Sequence, residues 1–247
     1  MVEIYGSRDR PSPAILRNMR VKALSFAALA LFVASPLFAQ VGHEPAQSPF
    51  TDLEYRQELT PYGGYGRARL DPAGVTPQSA TLAGLRYEIY LAGPVSLTSD
   101  LSAMFADRTV LDPTKPRAQR VIGTESAPVY GADVGIALGL TGRKSWHHIA
   151  PQIRAGIGVV HSQAADDTTG YKFGTPFAIS LGGGLKLVGR GRMQVRADVG
   201  TRLFKQKYPD AYYRTTSDNT AVLVDTPRSV WTRHSLLTVG VSFLFDR

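Results

Sequence analysis

The chain has 247 residues, 24 of them glycine, with charged residues at only 19% and no cysteine. The missing cysteine excludes a disulfide-stapled scaffold, a thiolate metal site, a cysteine nucleophile and a lipid anchor attached at a processed cysteine. Glycine near one residue in ten beside so little charge departs from an ordinary soluble domain, where about 7% and about 25% are usual, and that pairing is what the sequence has to explain.

Residues 19–40 (MRVKALSFAALALFVASPLFAQ) begin with the basic pair Arg20 and Lys22, continue through an apolar stretch from Ala23 to Ala34, break at Pro36 and offer Ala39 as a small residue at a cleavage site. A basic start, a 7–15-residue apolar run and a small residue at the cut describe a secretory signal, too short and too abruptly ended for a membrane helix. The expected layout is therefore an upstream extension at 1–18, with Met19 as the true start, a signal peptide at 19–39, a polar periplasmic leader at 40–57 and the folded unit at 58–247. Cleavage after Ala39 removes five basic and two acidic residues, which lowers the net charge from +8 to +5. No basic stripe remains of the kind that nucleic-acid binding needs.

From residue 58 onward, eight segments alternate with the two-residue period of a half-buried strand. The first, Leu59–Gly66, has glycine on both sides and its facing stays ambiguous. In the second, Ala83, Leu85, Tyr87, Ile89 and Leu91 oppose Gly84, Arg86 and Glu88; in the third, Val95, Leu97, Leu101 and Phe105 oppose Ser96, Thr98, Asp100 and Ser102. The fourth sets Tyr130, Ala132, Val134, Ile136, Leu138 and Leu140 against Gly131, Asp133, Gly135 and Gly139. The fifth (148–160) sets Ile149, Ile153, Ile157 and Val159 against His148, Gln152, Arg154, Gly156 and Gly158. The sixth (177–187), seventh (193–204) and eighth (235–245) repeat the pattern, with Lys186, Arg196, Asp198 and Arg202 on the polar side. A 3.6-residue period would mix Arg196 and Gly200 with Val199 and Leu203, so helices fail. Short turns (92–94, 142–146, 188–192) alternate with long loops (67–80, 107–129, 162–172, 206–234), the layout of an outer-membrane barrel with both termini on the short-turn side. The expected fold is all-β: an eight-stranded antiparallel up-and-down transmembrane β-barrel.

A soluble eight-stranded calycin with the apolar face inward is the rival. Volume opposes it, because eight strands leave an interior just wide enough for side chains, and the apolar face carries far more bulk than that. The glycine-rich face fits. Its charges nearly balance: Arg86, Arg154, Lys186, Arg196 and Arg202 against Glu88, Asp100, Asp133 and Asp198, read here as a lumen charge network that plugs the barrel. Tyr87, Phe105, Tyr130 and Trp146 lie near strand ends on the apolar side and read as interfacial aromatics; Tyr90, on the polar side, is an exception.

Three runs carry a family resemblance: LTPYGGYGRARL (59–70), VRADVGTRLF (195–204) and VGVSFLF (239–245). With them the chain resembles the OmpA/OmpX-like outer-membrane β-barrel family of Gram-negative-type bacteria. The resemblance implies localisation in the outer membrane among lipid and lipopolysaccharide. It also implies that Val239, Val241, Phe243 and Phe245 form the signal read by the barrel-assembly machinery, although Asp246 and Arg247 follow the aromatic that commonly comes last. The family's peptidoglycan-binding domain is not expected, since nothing follows the eighth strand.

A search for chemistry yields little. Lipid A deacylases of this membrane use a His-x-Ser pair, but His161-Ser162 and His234-Ser235 are adjacent and must point to opposite faces of a strand. His147-His148 splits likewise and is a weak metal candidate; Asp166-Asp167 reads as a solvated loop tip. Gly142-Arg143-Lys144-Ser145 lacks the phosphate-loop spacing, and Gly182-Gly183-Gly184 lies inside a strand. No catalytic residue, cofactor or metal is expected. The leading function is structural, or surface interaction through long mobile loops, with Tyr208, Tyr212, Tyr213 and Trp231 in the longest. A narrow porin-like channel and a lipid A-modifying enzyme are the alternatives.

Overall fold

The structure is a computed structural model that describes residues 48–162 and 170–245. The signal at 19–39, most of the leader, Asp166-Asp167 and Asp246-Arg247 lie outside the described residues. Twelve strands follow in chain order: β1 (Phe50–Asp52), β2 (Gln57–Ala68), β3 (Ala80–Ala92), β4 (Val95–Met104), β5 (Asp107–Leu111), β6 (Val121–Ser126), β7 (Val129–Gly139), β8 (Lys144–Trp146), β9 (Ile149–Ser162), β10 (Phe177–Val188), β11 (Met193–Lys207) and β12 (Ser229–Phe245). Among the described residues, two 3₁₀ turns, Arg117–Gln119 and Asp210–Tyr213, sit in loops.

Eight of these strands make the wall. Each pairs antiparallel with its neighbours in the order β2-β3-β4-β7-β9-β10-β11-β12, and β12 pairs back onto β2, so no edge is left. The wall strands coincide with the eight alternating segments of the sequence, extended by a few residues at the loop end, where β11 reaches Lys207 and β12 starts at Ser229. The first strand, ambiguous in sequence, is settled by burial: Glu58, Thr60, Tyr62 and Gly66 turn inward, while Pro61, Gly63 and Tyr65 turn out.

At the short-turn end, Gly93 at φ +55° lets β3 reverse into β4 through a two-residue turn with Pro94. The stretch read as a polar leader is not all leader. Phe50–Asp52 forms β1 and pairs with β8 inside the turn between β7 and β9, and Gln57 already belongs to β2. Three backbone pairings satisfy groups that the sequence pattern leaves unassigned. At the opposite end, the stretch 107–129 read as a loop contains the β5–β6 hairpin, a separate two-stranded sheet.

The facing is inverted relative to a soluble domain. Outward Val134, Val199 and Leu237 are each about 57–60% exposed, whereas inward Arg86 and Arg196 are 3% and 1% exposed. Glycine on the inner face makes room for these side chains. A Cβ at Gly131 would collide with the Arg202 guanidinium, and one at Gly184 with the Asp198 carboxylate. Along β12 the uncharged outward face runs from Ser235 to Phe245. Ten residue steps of about 3.3 Å, tilted about 40°, give a band about 25 Å tall, the height of a barrel's hydrocarbon-facing belt.

Candidate functional site

Because the side chains alternate, seven of the eight wall strands aim charges at one axis. Lys186 on β10 reaches Glu58 on β2 at 2.5 Å and Glu88 on β3 at 3.3 Å. Arg196 on β11 bonds Glu88, Glu58 at 3.4 Å and Asp198 at 2.9 Å. Asp198 passes the chain of charges to Arg86 at 2.8 Å, and Arg154 on β9 lies 3.4 Å from its other oxygen. Arg86 then pairs with Asp100 on β4 at 2.9 Å, Asp100 with Arg202 at 3.7 Å, and Arg202 with Asp133 on β7. The relay thus crosses the lumen without a gap.

The structure places all nine residues of the predicted lumen charge network in this relay, and adds a tenth that sequence reasoning missed. Glu58 brings the acids to five, against the five cations Arg86, Arg154, Lys186, Arg196 and Arg202. Its signal was present in the run Glu58-x-Thr60-x-Tyr62, once β2 is given an inward face. Polar neighbours complete the layer. The Thr60 hydroxyl donates to Glu58 at 3.1 Å and shares a 2.8 Å bond with Ser242; the Tyr62 hydroxyl donates to Asp100 at 2.7 Å, with Arg86 5.1 Å above its ring; the Gln152 amide faces the Arg196 guanidinium. A buried charge costs several kcal/mol unless paired and hydrogen-bonded, so the balance of five against five stabilises the fold.

On either side of the relay lies a small cavity. The one toward the loops, about 50 Å³, touches Asp133, Arg202, His234 and Thr238; the one toward the short turns, about 90 Å³, touches Glu58, Glu88 and Lys186. Each has room for a few water-sized molecules. Tyr90 closes the turn end, its hydroxyl donating to the Gly93 carbonyl at 2.5 Å and Arg143 stacking 4.0 Å above its ring.

The loop end is closed differently, and here the expectation that the loop aromatics form an exposed surface is corrected. Tyr208 and Tyr212 are buried and stack at 6.3 Å, and Tyr213 packs partly buried beside them. They join Val75, Leu111, Tyr171, Phe173, Phe204 and Leu223 in an apolar core over the barrel mouth. Removing this much apolar surface from water holds the loops together, at about 1.5–3 kcal/mol per large side chain. Only Trp231 stays exposed, because it belongs to the outward face of β12.

Polar clasps lock the cap. Arg120 donates to the carbonyls of Thr220 and Ala221, at 3.2 and 3.1 Å, across 100 residues of sequence. The Asp218 carboxylate accepts from the Thr216 hydroxyl, the Arg117 backbone at 2.8 Å and the Thr220 hydroxyl, and these bonds hold it well below the usual carboxylate range. Tyr208 donates to Asp71 at 2.7 Å; burial and that bond push its phenol well above its ordinary value.

The predicted interfacial aromatics fall at both ends of the outward band. Phe105 and Tyr130 lie exposed at the loop end, joined by Tyr65, Phe177 and Trp231. At the turn end, Tyr87 stacks on Phe245 at 6.2 Å and donates to Gln57, and Trp146 packs edge-on against His147. Val239, Val241, Phe243 and Phe245 all face outward on β12. The His-Ser pairs split across the wall: His161 is outside, within 2.9 Å of the Thr175 hydroxyl, while Ser162 is buried, and His234 is inside while Ser235 faces out. His147 and His148 form a positive-φ turn, and no cluster of three metal-ligating side chains occurs among the described residues.

No family model and no curated protein matches the chain. Solved structures do. Neisserial surface protein A (NspA) is 13% identical with a TM-score of 0.45, covering 76% of this chain and 97% of that one. The outer membrane protein OprG from Pseudomonas aeruginosa is 11% identical with a TM-score of 0.47, covering 78% and 98%. AlkL, an outer membrane protein solved in lipid bilayers, is 11% identical with a TM-score of 0.40, covering 84% and 98%. At such identities the likeness is one of fold, and the architecture is read from this chain's own strand pairing. By its strand order, closure and inverted facing, the chain is an eight-stranded antiparallel up-and-down transmembrane β-barrel, the architecture of bacterial outer-membrane proteins.

Proposed function

We propose that the protein is a small, non-conducting outer-membrane barrel with a structural or surface-interaction role, presented through a rigid loop cap rather than through mobile loops. The observation that carries this reading is the unbroken ion-pair relay from Lys186 to Asp133 across the lumen. A solute would have to part several buried pairs at once, and breaking even one such pair costs about 3–5 kcal/mol. In this reading the segment 19–39 directs export, the outward face Val239–Phe245 is read during insertion by the assembly machinery, and the protein carries no enzymatic chemistry. Planar-bilayer recording on the unmodified protein tests closure. No discrete conductance steps are expected. Steady ohmic steps would replace the closed reading with a narrow channel, whose vestibules would be the two cavities flanking the relay.

A further inference from the structure

The outward faces of the eight wall strands carry four charged side chains among the described residues, and all four are cations: Arg67 on β2, Lys205 and Lys207 on β11, and Arg233 on β12. They cluster on three adjacent strands at the loop end. Arg69, one residue beyond β2, joins them, since its backbone N–H donates to the Arg233 carbonyl at 3.0 Å. Lys205 lies directly opposite Trp231, and Arg67 opposite Ser235. All five cations are exposed, and none pairs with a carboxylate among the described residues. No outward wall position at the turn end carries a charge.

Neighbouring like charges on one face of a sheet are destabilising. Five together, with no carboxylate partner among the described residues, form a surface that an external anion would satisfy. Their height says which. Ser235 and Leu237 begin the uncharged band just below Arg233, so the patch stands where the hydrocarbon ends and headgroups begin. Trp231, half exposed at the same level, is the side chain that favours this boundary.

We propose that Arg67, Arg69, Lys205, Lys207 and Arg233 bind the phosphate groups of an anionic phosphorylated lipid in the outer leaflet. The headgroup lies across β2, β12 and β11, and the acyl chains descend along Leu237 and Val199. Arginine forks grip phosphate oxygens in bidentate fashion, and the lysines add point charge. The inference rests on the transmembrane reading above.

The test uses the full mature chain in neutral zwitterionic vesicles, titrated with a bisphosphorylated glucosamine lipid, with the same lipid after dephosphorylation, and with inorganic phosphate. Saturable binding of the phosphorylated lipid alone is expected. Each cation removed should weaken binding about fivefold, so Arg67→Gln/Arg69→Gln/Arg233→Gln weakens it about 100-fold, and Lys205→Gln/Lys207→Gln about 25-fold. Arg190→Gln/Arg192→Gln, at the turn end, should leave it unchanged. Equal binding of the dephosphorylated lipid, full competition by millimolar inorganic phosphate, or an unweakened triple variant would overturn the proposal. A heat-dependent gel shift is recorded for every variant. Loss of that shift in the unmodified protein would count against the barrel itself, whereas an intact shift without lipid selectivity counts against this site alone.

Discussion

Arg196 is the keystone of the lumen, and removing its charge is the sharpest perturbation of the network. Its guanidinium is fully buried among Glu58, Glu88 and Asp198. Arg196→Met keeps much of the volume and leaves the lumen with one uncompensated negative charge. Breaking a buried pair costs about 3–5 kcal/mol. Here the lower end applies, because Lys186 still holds Glu58 and Glu88, and Arg86 still holds Asp198. About 3 kcal/mol corresponds to more than a hundredfold in the folding equilibrium. Adding Glu88→Gln restores neutrality, so the double variant should recover about half of that loss, a coupling expected only of groups in direct contact. Urea titration in vesicles, read by gel mobility with and without boiling, measures both. A loss under about 0.5 kcal/mol for Arg196→Met, or losses that simply add in the double variant, would refute the reasoning.

Other consequences follow from the cap and the wall. Arg120→Leu removes the bonds to Thr220 and Ala221, and should speed proteolysis and hydrogen exchange of 210–228 at a cost of about 1–3 kcal/mol, with barrel stability unchanged. The Tyr208 phenol is raised above its ordinary 10 by burial and by Asp71. Its contribution is therefore complete below pH about 10 and is lost as pH rises beyond that, so exchange in the cap should accelerate in strong alkali, and less so in Tyr208→Phe. Val134→Arg, at the middle of the outward face of β7, should cost about 2–4 kcal/mol in a bilayer. Tolerance of that charge would argue for a watery exterior.

The wall was legible because a half-buried strand writes its facing into every second residue. Residues 129–139 show this plainly, with Tyr130, Val134 and Ile136 out and Gly131, Asp133 and Gly135 in. Nine of the ten relay charges followed from the same rule. Glu58 did not, because Pro61, the glycines and the tyrosines of β2 blur the alternation, and its partners lie 128 and 138 residues away. The cap was illegible for a related reason. Tyr208 and Tyr212, Tyr171 and Val75 come from three loops that share no period, and the clasp between Arg120 and Thr220 has no local trace. β1 escaped notice because three residues are too few to show alternation.

The inverted facing underlies every other statement about this protein, and the absence of native cysteine makes it directly measurable. Single cysteines placed at 237, 238, 239, 241 and 242 along β12, leaving out Gly240, where a Cβ would collide with the Pro61 backbone, and spin-labelled in vesicles report the solvent at each position. Labels at Leu237, Val239 and Val241 should collide readily with membrane-dissolved oxygen, and those at Thr238 and Ser242 should be shielded from it. Uniform accessibility, or oxygen contact at the even positions instead, would contradict a barrel that turns its apolar face to lipid.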